Sequence, residues 1–418
     1  MLSPGSKGWI NKYFSLVEEG IVDLSYSNPS QYSKQRHLHI LSGKTGIIFG
    51  HVSCFLFYKN ADSSKWIEDE KLKILLFETL LLVYIQKHGV SKTLKDDFID
   101  SMLVYYSKYD NKGIENLFTF FVKEDKATRL ETIFAKRIDN STGILDNRWW
   151  FKTMSNVFVY LDVILFDRFE NEGDSEILKS YSEYAYNALI SILLAAYSDG
   201  IVDEKEETMF KVFLSSANLR SQYREKAIFN LNNGASYKDF TAIVFEDKLL
   251  CRFMIDLSLL TIFGNQEIEI SETDFITNDL AHFLHLGDYD IEESLVMIEH
   301  FLLYSDLKSN FLANKNIYEK VSTSFSNRWT KLILRNKDKL ALELSESKEL
   351  VGLIKKSATQ ELSSEEKEKV RSQFLDIVKS MPALAIFLLP GGAILLPLIL
   401  KVLPDLIPSA FRDNEVEK

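Results

Sequence analysis

Apolar side chains recur through most of this chain at spacings of three and four residues, the pattern of one buried helix face. Trp9, Ile10, Tyr13, Phe14 and Val17 predict a short amphipathic opener over 9–19. Residues 72–86 are apolar apart from Lys73, Glu78, Thr79 and the closing Gln86; the run is too short to span a bilayer comfortably and predicts a core helix. Helices follow near 92–107, 113–122 and 125–138, then a turn at Asp139-Asn140-Ser141-Thr142-Gly143 and an apolar helix over 149–169. Ile47-Ile48-Phe49 and the run 52–58 suit a buried helix or strand, and a helix is the expectation. Further helices are expected over 291–304 and 311–343. Ser363 and Glu366 have capping-box spacing, and the helix they open carries Val370, Phe374, Leu375 and Val378 on one face.

The middle of the chain echoes itself. Residues 185–217 run from an apolar helix through an acidic turn, Asp199-Gly200-Ile201-Val202-Asp203-Glu204-Lys205-Glu206, into a second helix carrying Met209, Phe210, Val212 and Phe213. Residues 253–286 repeat that order, and aligning Val202 with Ile268 also aligns Asp203 with Glu269 and Glu206 with Glu272. Two such hairpins packed face to face would bury both apolar stripes.

From Ser380 to Leu400 there is no charged side chain, with Lys379 and Lys401 as the flanks. As a helix this window would be roughly 31 Å long, about the thickness of a bilayer's hydrocarbon core. Five of the chain's 7 prolines lie between Pro382 and Pro408, and Pro382, Pro390 and Pro397 interrupt the window around Gly391-Gly392. Interior prolines free backbone carbonyls, so the expected forms are a kinked helix or a shallow re-entrant hairpin, with a soluble core hairpin as the alternative. Lys355, Lys356, Lys367, Lys369, Arg371 and Lys379 precede the window, which favours a cytoplasmic side for the body of the chain.

Composition narrows the function classes. At 418 residues and 46% hydrophobic the chain can bury a sizeable core. A net charge of -11 argues against nucleic-acid binding by bulk charge. Cys54 and Cys251 stand far apart, which fits a reducing compartment rather than a disulfide framework. Met1-Leu2-Ser3-Pro4-Gly5 lacks the regions of a signal peptide.

The stretch Met381-Pro382, Pro390, Leu395-Leu396-Pro397, Lys401-Val402-Leu403-Pro404 and Pro408-Ser409-Ala410-Phe411 resembles the membrane segment of the LETM family. That resemblance implies an inner-membrane protein linked to cation/proton exchange and ribosome binding. Ala393 stands where the family carries an acidic residue. The family's ribosome-binding domain follows its membrane segment, and with the chain ending at Lys418 that domain is expected to be missing. The overall layout is similar to bacterial proteins described as LETM-related and biofilm-associated. Around Ala196-Tyr197-Ser198-Asp199-Gly200 the chain resembles TerB-like tellurite-resistance domains, which are all-helical with acidic interhelical turns.

Asp199, Asp203 and Glu206 offer oxygen ligands to Ca²⁺ or Mg²⁺, or else Asp203 caps the following helix and the glutamates favour its positive end. Ser42-Gly43-Lys44-Thr45 ends like a P-loop, but Leu38 occupies the first glycine's place. His282 and His285, three apart and near Asp279, read as ordinary surface or half-buried residues. No catalytic signature stands out.

The expected protein is therefore all-α: an N-terminal helical domain over 1–172, a TerB-like module over 173–300, connecting helices over 301–375 and a LETM-like membrane segment over 376–418. Its landmarks are Pro382, Pro390, Gly391, Gly392, Pro397, Lys401, Pro404 and Pro408. The expected function is non-enzymatic and cofactor-free, apart from a divalent cation at the acidic turn. The protein would be anchored in a bacterial inner membrane with its bulk in the cytoplasm. It would act in envelope or cation homeostasis, linked to biofilms, with the helical body binding a protein partner. The alternatives are a K⁺ or Ca²⁺ exchanger component, built as a homo-oligomer, or a ribosome-associated membrane factor.

Overall fold

The computed structural model describes residues 2–25, 33–60, 62–109, 125–138, 154–198, 200, 202–264, 270–305, 315–379, 381, 384 and 400. Every regular element among them is helical. The chain divides into two compact units: Met1–Tyr26 with Leu41–Ser294, and Ser27–Ile40 with Leu295–Lys418.

The first unit opens with α1 (Trp9–Glu18), which buries Trp9, Ile10, Tyr13, Phe14 and Leu16. The helix α2 (Lys34–Thr45), whose residues up to Ile40 belong to the second unit, leads into a single 3-10 turn of the first at Ile47–Phe49. Gly46 and Gly50 flank that turn at φ 87 and 65, a left-handed backbone that stops the helix expected through 52–58. Next comes α3 (Glu68–His88), in which every side chain from Ile74 to Ile85 is buried. A helix that is apolar on all sides needs neighbours on all sides. It receives them from α5 (Lys126–Ile138) and α6 (Val159–Glu172), with α4 (Leu94–Tyr106) packed on α5. Of the helix expected over 149–169, residues 149–153 lie outside the described residues; α6 covers it from Val159, and Gly173 at φ 72 ends it where the break was expected.

The two echoing hairpins come next. Their first helices, α7 (Tyr181–Ala196) and α10 (Lys248–Gly264), pack directly against each other. Their sequences explain the pairing: α7 is buried along its whole length, and Phe253, Met254, Ile255, Leu257, Leu259 and Leu260 of α10 are no more than 0% exposed. The helices α8 (Glu204–Ser216) and α9 (Ser221–Asn233) cover α7. The second helix of the second hairpin is irregular. A short α11 (Ile270–Asp274) widens into a π-helical turn at Phe275–Leu280 and then closes at Ala281–Phe283.

The second unit takes up after Ser294, within α12 (Asp288–Tyr304), and continues through α13 (Lys315–Arg335), α14 (Lys337–Glu346), α15 (Lys348–Thr359) and α16 (Ser364–Lys379). The single helix expected over 311–343 is broken at Asn336, whose side chain donates to the Leu332 carbonyl at 2.8 Å. The helices α14, α15 and α16 pack on one another. Leu340, Leu344, Leu350, Val351, Ile354, Val370, Phe374 and Val378 fill the space between them. The expected helix at 113–122 and the turn at 139–143 lie outside the described residues.

Candidate functional site

The acidic turn between α7 and α8 is built as a helix start. Asp203 Oδ1 accepts from the Glu206 backbone N–H at 2.8 Å, and Glu206 Oε2 accepts from the Asp203 N–H at 2.9 Å. This reciprocal capping box satisfies two donors that a helix N-terminus leaves open. Glu204, Glu206 and Glu207 place negative charge on the positive end of α8. Gly200 reaches the turn at φ 93. Tyr197 ties the end of α7 to α9 by donating to the Leu231 carbonyl at 2.5 Å. Asp199 lies outside the described residues, so two of the three expected cation ligands are placed, and each lends an oxygen to the cap. Among the described residues no group of three His, Cys, Asp or Glu is placed to hold a metal.

The other tempting motifs resolve simply. Ser42-Gly43-Lys44-Thr45 forms the last turn of α2, and a helix C-terminus repels phosphate. His282 and His285 are both exposed, and His285 sits at φ 55 where the π-widened helix ends.

Before the expected membrane segment, the chain forms an antiparallel hairpin of α15 and α16. Ser363 and Glu366 make the expected capping box, at 2.9 Å from the Ser363 N–H to Glu366 and 3.2 Å from the Glu366 N–H to Ser363 Oγ. Glu349 on α15 accepts from Lys369 at 3.0 Å and from Gln373 at 2.6 Å on α16, and Lys356 pairs with Glu366 at 2.6 Å. Val370, Phe374 and Val378 are each 0% exposed, so the predicted apolar face is the packed one. Two further apolar residues, Met381 and Leu384, are also buried. Pro382, Pro390, Gly391, Gly392, Pro397, Lys401, Pro404 and Pro408 lie outside the described residues. No helix among the described residues is long and apolar enough to cross a membrane.

Sequence reasoning missed a set of ionisable groups buried among helices. Glu78, in the middle of α3, accepts from Tyr13 Oη at 2.8 Å and from the backbone N–H groups of Leu56, Phe57 and Tyr58. It thereby holds the irregular strap after Gly50. Burial pushes its carboxyl above the ordinary range, and those four donors pull it back. Glu131 accepts from the N–H groups of Gly8 and Ile10, so a side chain from α5 caps α1. Arg137 holds Asp162 through bonds of 2.7 and 2.6 Å, ringed by Tyr106, Tyr109 and Tyr181. Arg252 pairs with Asp290 and Glu293. Asp247 caps α10 through Oδ1, while burial pushes its carboxyl up to about 6. Glu299 meets Ser324 and Arg328. The available signal was a lone charge within an apolar run, as at Glu78 and Asp162. Their partners lie too far along the chain to be named from spacing.

Residues 362–418 match the family model described as LETM1-like, RBD. No curated protein matches the chain, and no solved structure does. The matched stretch begins beside the Ser363 cap and takes in α16 together with the uncharged window. It carries the RBD designation that had been expected to fall beyond Lys418. The C-terminal stretch of this chain is LETM-related.

Proposed function

We propose that this is a non-enzymatic, membrane-anchored protein of bacterial envelope or cation homeostasis, held by its LETM-related C-terminal stretch. Its helical body faces the cytoplasm and binds a protein partner. The LETM1-like match over 362–418 carries this reading. It coincides with a window of the sequence that has no charged side chain from Ser380 to Leu400. The echoing hairpins at 185–217 and 253–286 act as the TerB-like partner-binding module, and the biofilm link follows from the resemblance of the whole layout.

Carbonate extraction of the expressed protein, with and without residues 376–418, tests the anchor. The full chain should stay with the membrane and the truncated chain should be released. Release of both overturns the reading. Reconstitution into proteoliposomes then tests the non-transport assignment: K⁺/H⁺ or Ca²⁺/H⁺ exchange well above empty vesicles would replace it with the exchanger reading. The RBD designation favours a second role in ribosome association. Co-sedimentation with ribosomes that is lost on deleting 362–418 would establish that role.

A further inference from the structure

Glu299 sits on α12 at 0% exposure. Its Oε1 accepts from Ser324 Oγ at 2.6 Å and from Arg328 Nε at 3.2 Å, both on α13. Its Oε2 is buried and has no hydrogen-bond partner among the described residues. Rings line the same seam. His300 lies 4.8 Å from Tyr304 and 6.4 Å from Phe325, and Phe325 lies 5.3 Å from Trp329. The His300 Nε2 and Tyr304 Oη atoms are buried without partners among the described residues as well. A bare oxygen in such surroundings costs far more on an anion than on a neutral acid.

We propose that Glu299 is a proton-binding site that sets how tightly α12 holds α13, securing the pair when it carries a proton and loosening it when it ionises. The partial satisfaction of the carboxyl supports this. Burial pushes it up to about 7, while Arg328 and Ser324 draw it back toward the ordinary value of 4.5. Among the described residues, the charged group acting on it from α13 is Arg328, itself 30% exposed. On α12, burial lowers the neighbouring His300 to about 4, so that ring is neutral wherever Glu299 titrates. Tyr304 is pushed well above its usual range and stays protonated.

Between pH 4.5 and 7 the closed pair binds more proton than an opened one. Its opening equilibrium should therefore rise up to about tenfold per pH unit and level off above pH 7. This site stands whether or not the tail inserts in a membrane, so its failure and that of the anchor are separate results.

The test is hydrogen exchange of peptides from α12 and α13 in the full chain, corrected for intrinsic exchange, from pH 5 to 8. An infrared titration of the protonated-carboxyl band accompanies it. The wild type should lose protection through this range, and the band absent from Glu299→Gln should titrate with a midpoint near neutrality. Ser324→Ala removes a bond to the ionised form and should move that midpoint upward, and it guards against a folding defect in the first variant. A protection profile unchanged by Glu299→Gln overturns the proposal. So does the absence of any band distinguishing it from wild type, or a Ser324→Ala midpoint that stays put or falls.

Discussion

Arg137 and Asp162 are 2% and 0% exposed at the side chain and joined by two hydrogen bonds. Breaking one side of such a pair leaves an uncompensated buried charge. Arg137→Met should therefore cost about 3–5 kcal/mol in denaturant unfolding, and adding Asp162→Leu should restore much of it. If the double variant were as unstable as the single, the pair's charge would not be what holds that region. Asp247 makes the converse point. Its carboxyl is raised from 3.8 to about 6, so the favourable, protonated state is fullest below the ordinary value and is lost as pH rises through 6. Asp247→Asn keeps an oxygen for the Leu249 and Leu250 N–H groups and cannot ionise. It should be more stable than wild type by about 3 kcal/mol at pH 8, with the difference closing toward pH 4. Guanidinium titrations at the two pH values check this. These residues were visible in the sequence as charges out of place. Their partners were not, because Arg137 and Asp162, or Gly8 and Glu131, meet only after the chain has folded back on itself.

Helix caps are the part of the elements that local chemistry settles. The predicted box of Ser363 with Glu366 forms as its spacing requires, and the Asp203 cap, offered as one of two readings of the acidic turn, forms with Glu206 answering it. The cap also separates two accounts of the acidic turn. Asp203→Ala should cost about 1 kcal/mol, whereas Asp203→Asn preserves an N-cap acceptor and should cost little. Calorimetry with Ca²⁺ on the wild type and on Asp199→Asn with Asp203→Asn completes the comparison. Heat in the wild type that vanishes in the double variant would make the turn a cation site; no heat in either leaves it a cap. Where periodicity overran, the cause was a local exception: left-handed glycines at 46 and 50, a break at Asn336, and a π-helical turn at Phe275–Leu280. A strict apolar period carries no mark of such exceptions, because it records which positions are buried and not where the backbone turns or widens.

At the scale of the whole molecule, Asp247 and Glu299 are, among the described residues, buried acids whose carboxyls burial raises to about 6 and about 7. Both favour the protonated fold, so the chain should resist denaturant better at pH 6 than at pH 8. Combining Asp247→Asn with Glu299→Gln should flatten that difference. A chain equally stable at both pH values would mean that these carboxyls reach water.

The sequence by itself determined the all-helical class, the central core helix around 72–86, the paired hairpins and the LETM kinship of the tail. Each is written in neighbouring residues: period, cap spacing, proline order and the exclusion of charge. The tertiary structure decided which helices meet, that the two hairpins join through α7 and α10, and that buried acids such as Glu78 and Glu131 are held by partners tens of residues away. Those outcomes depend on shape and on desolvation, which exist only once distant segments have excluded water from the space between them.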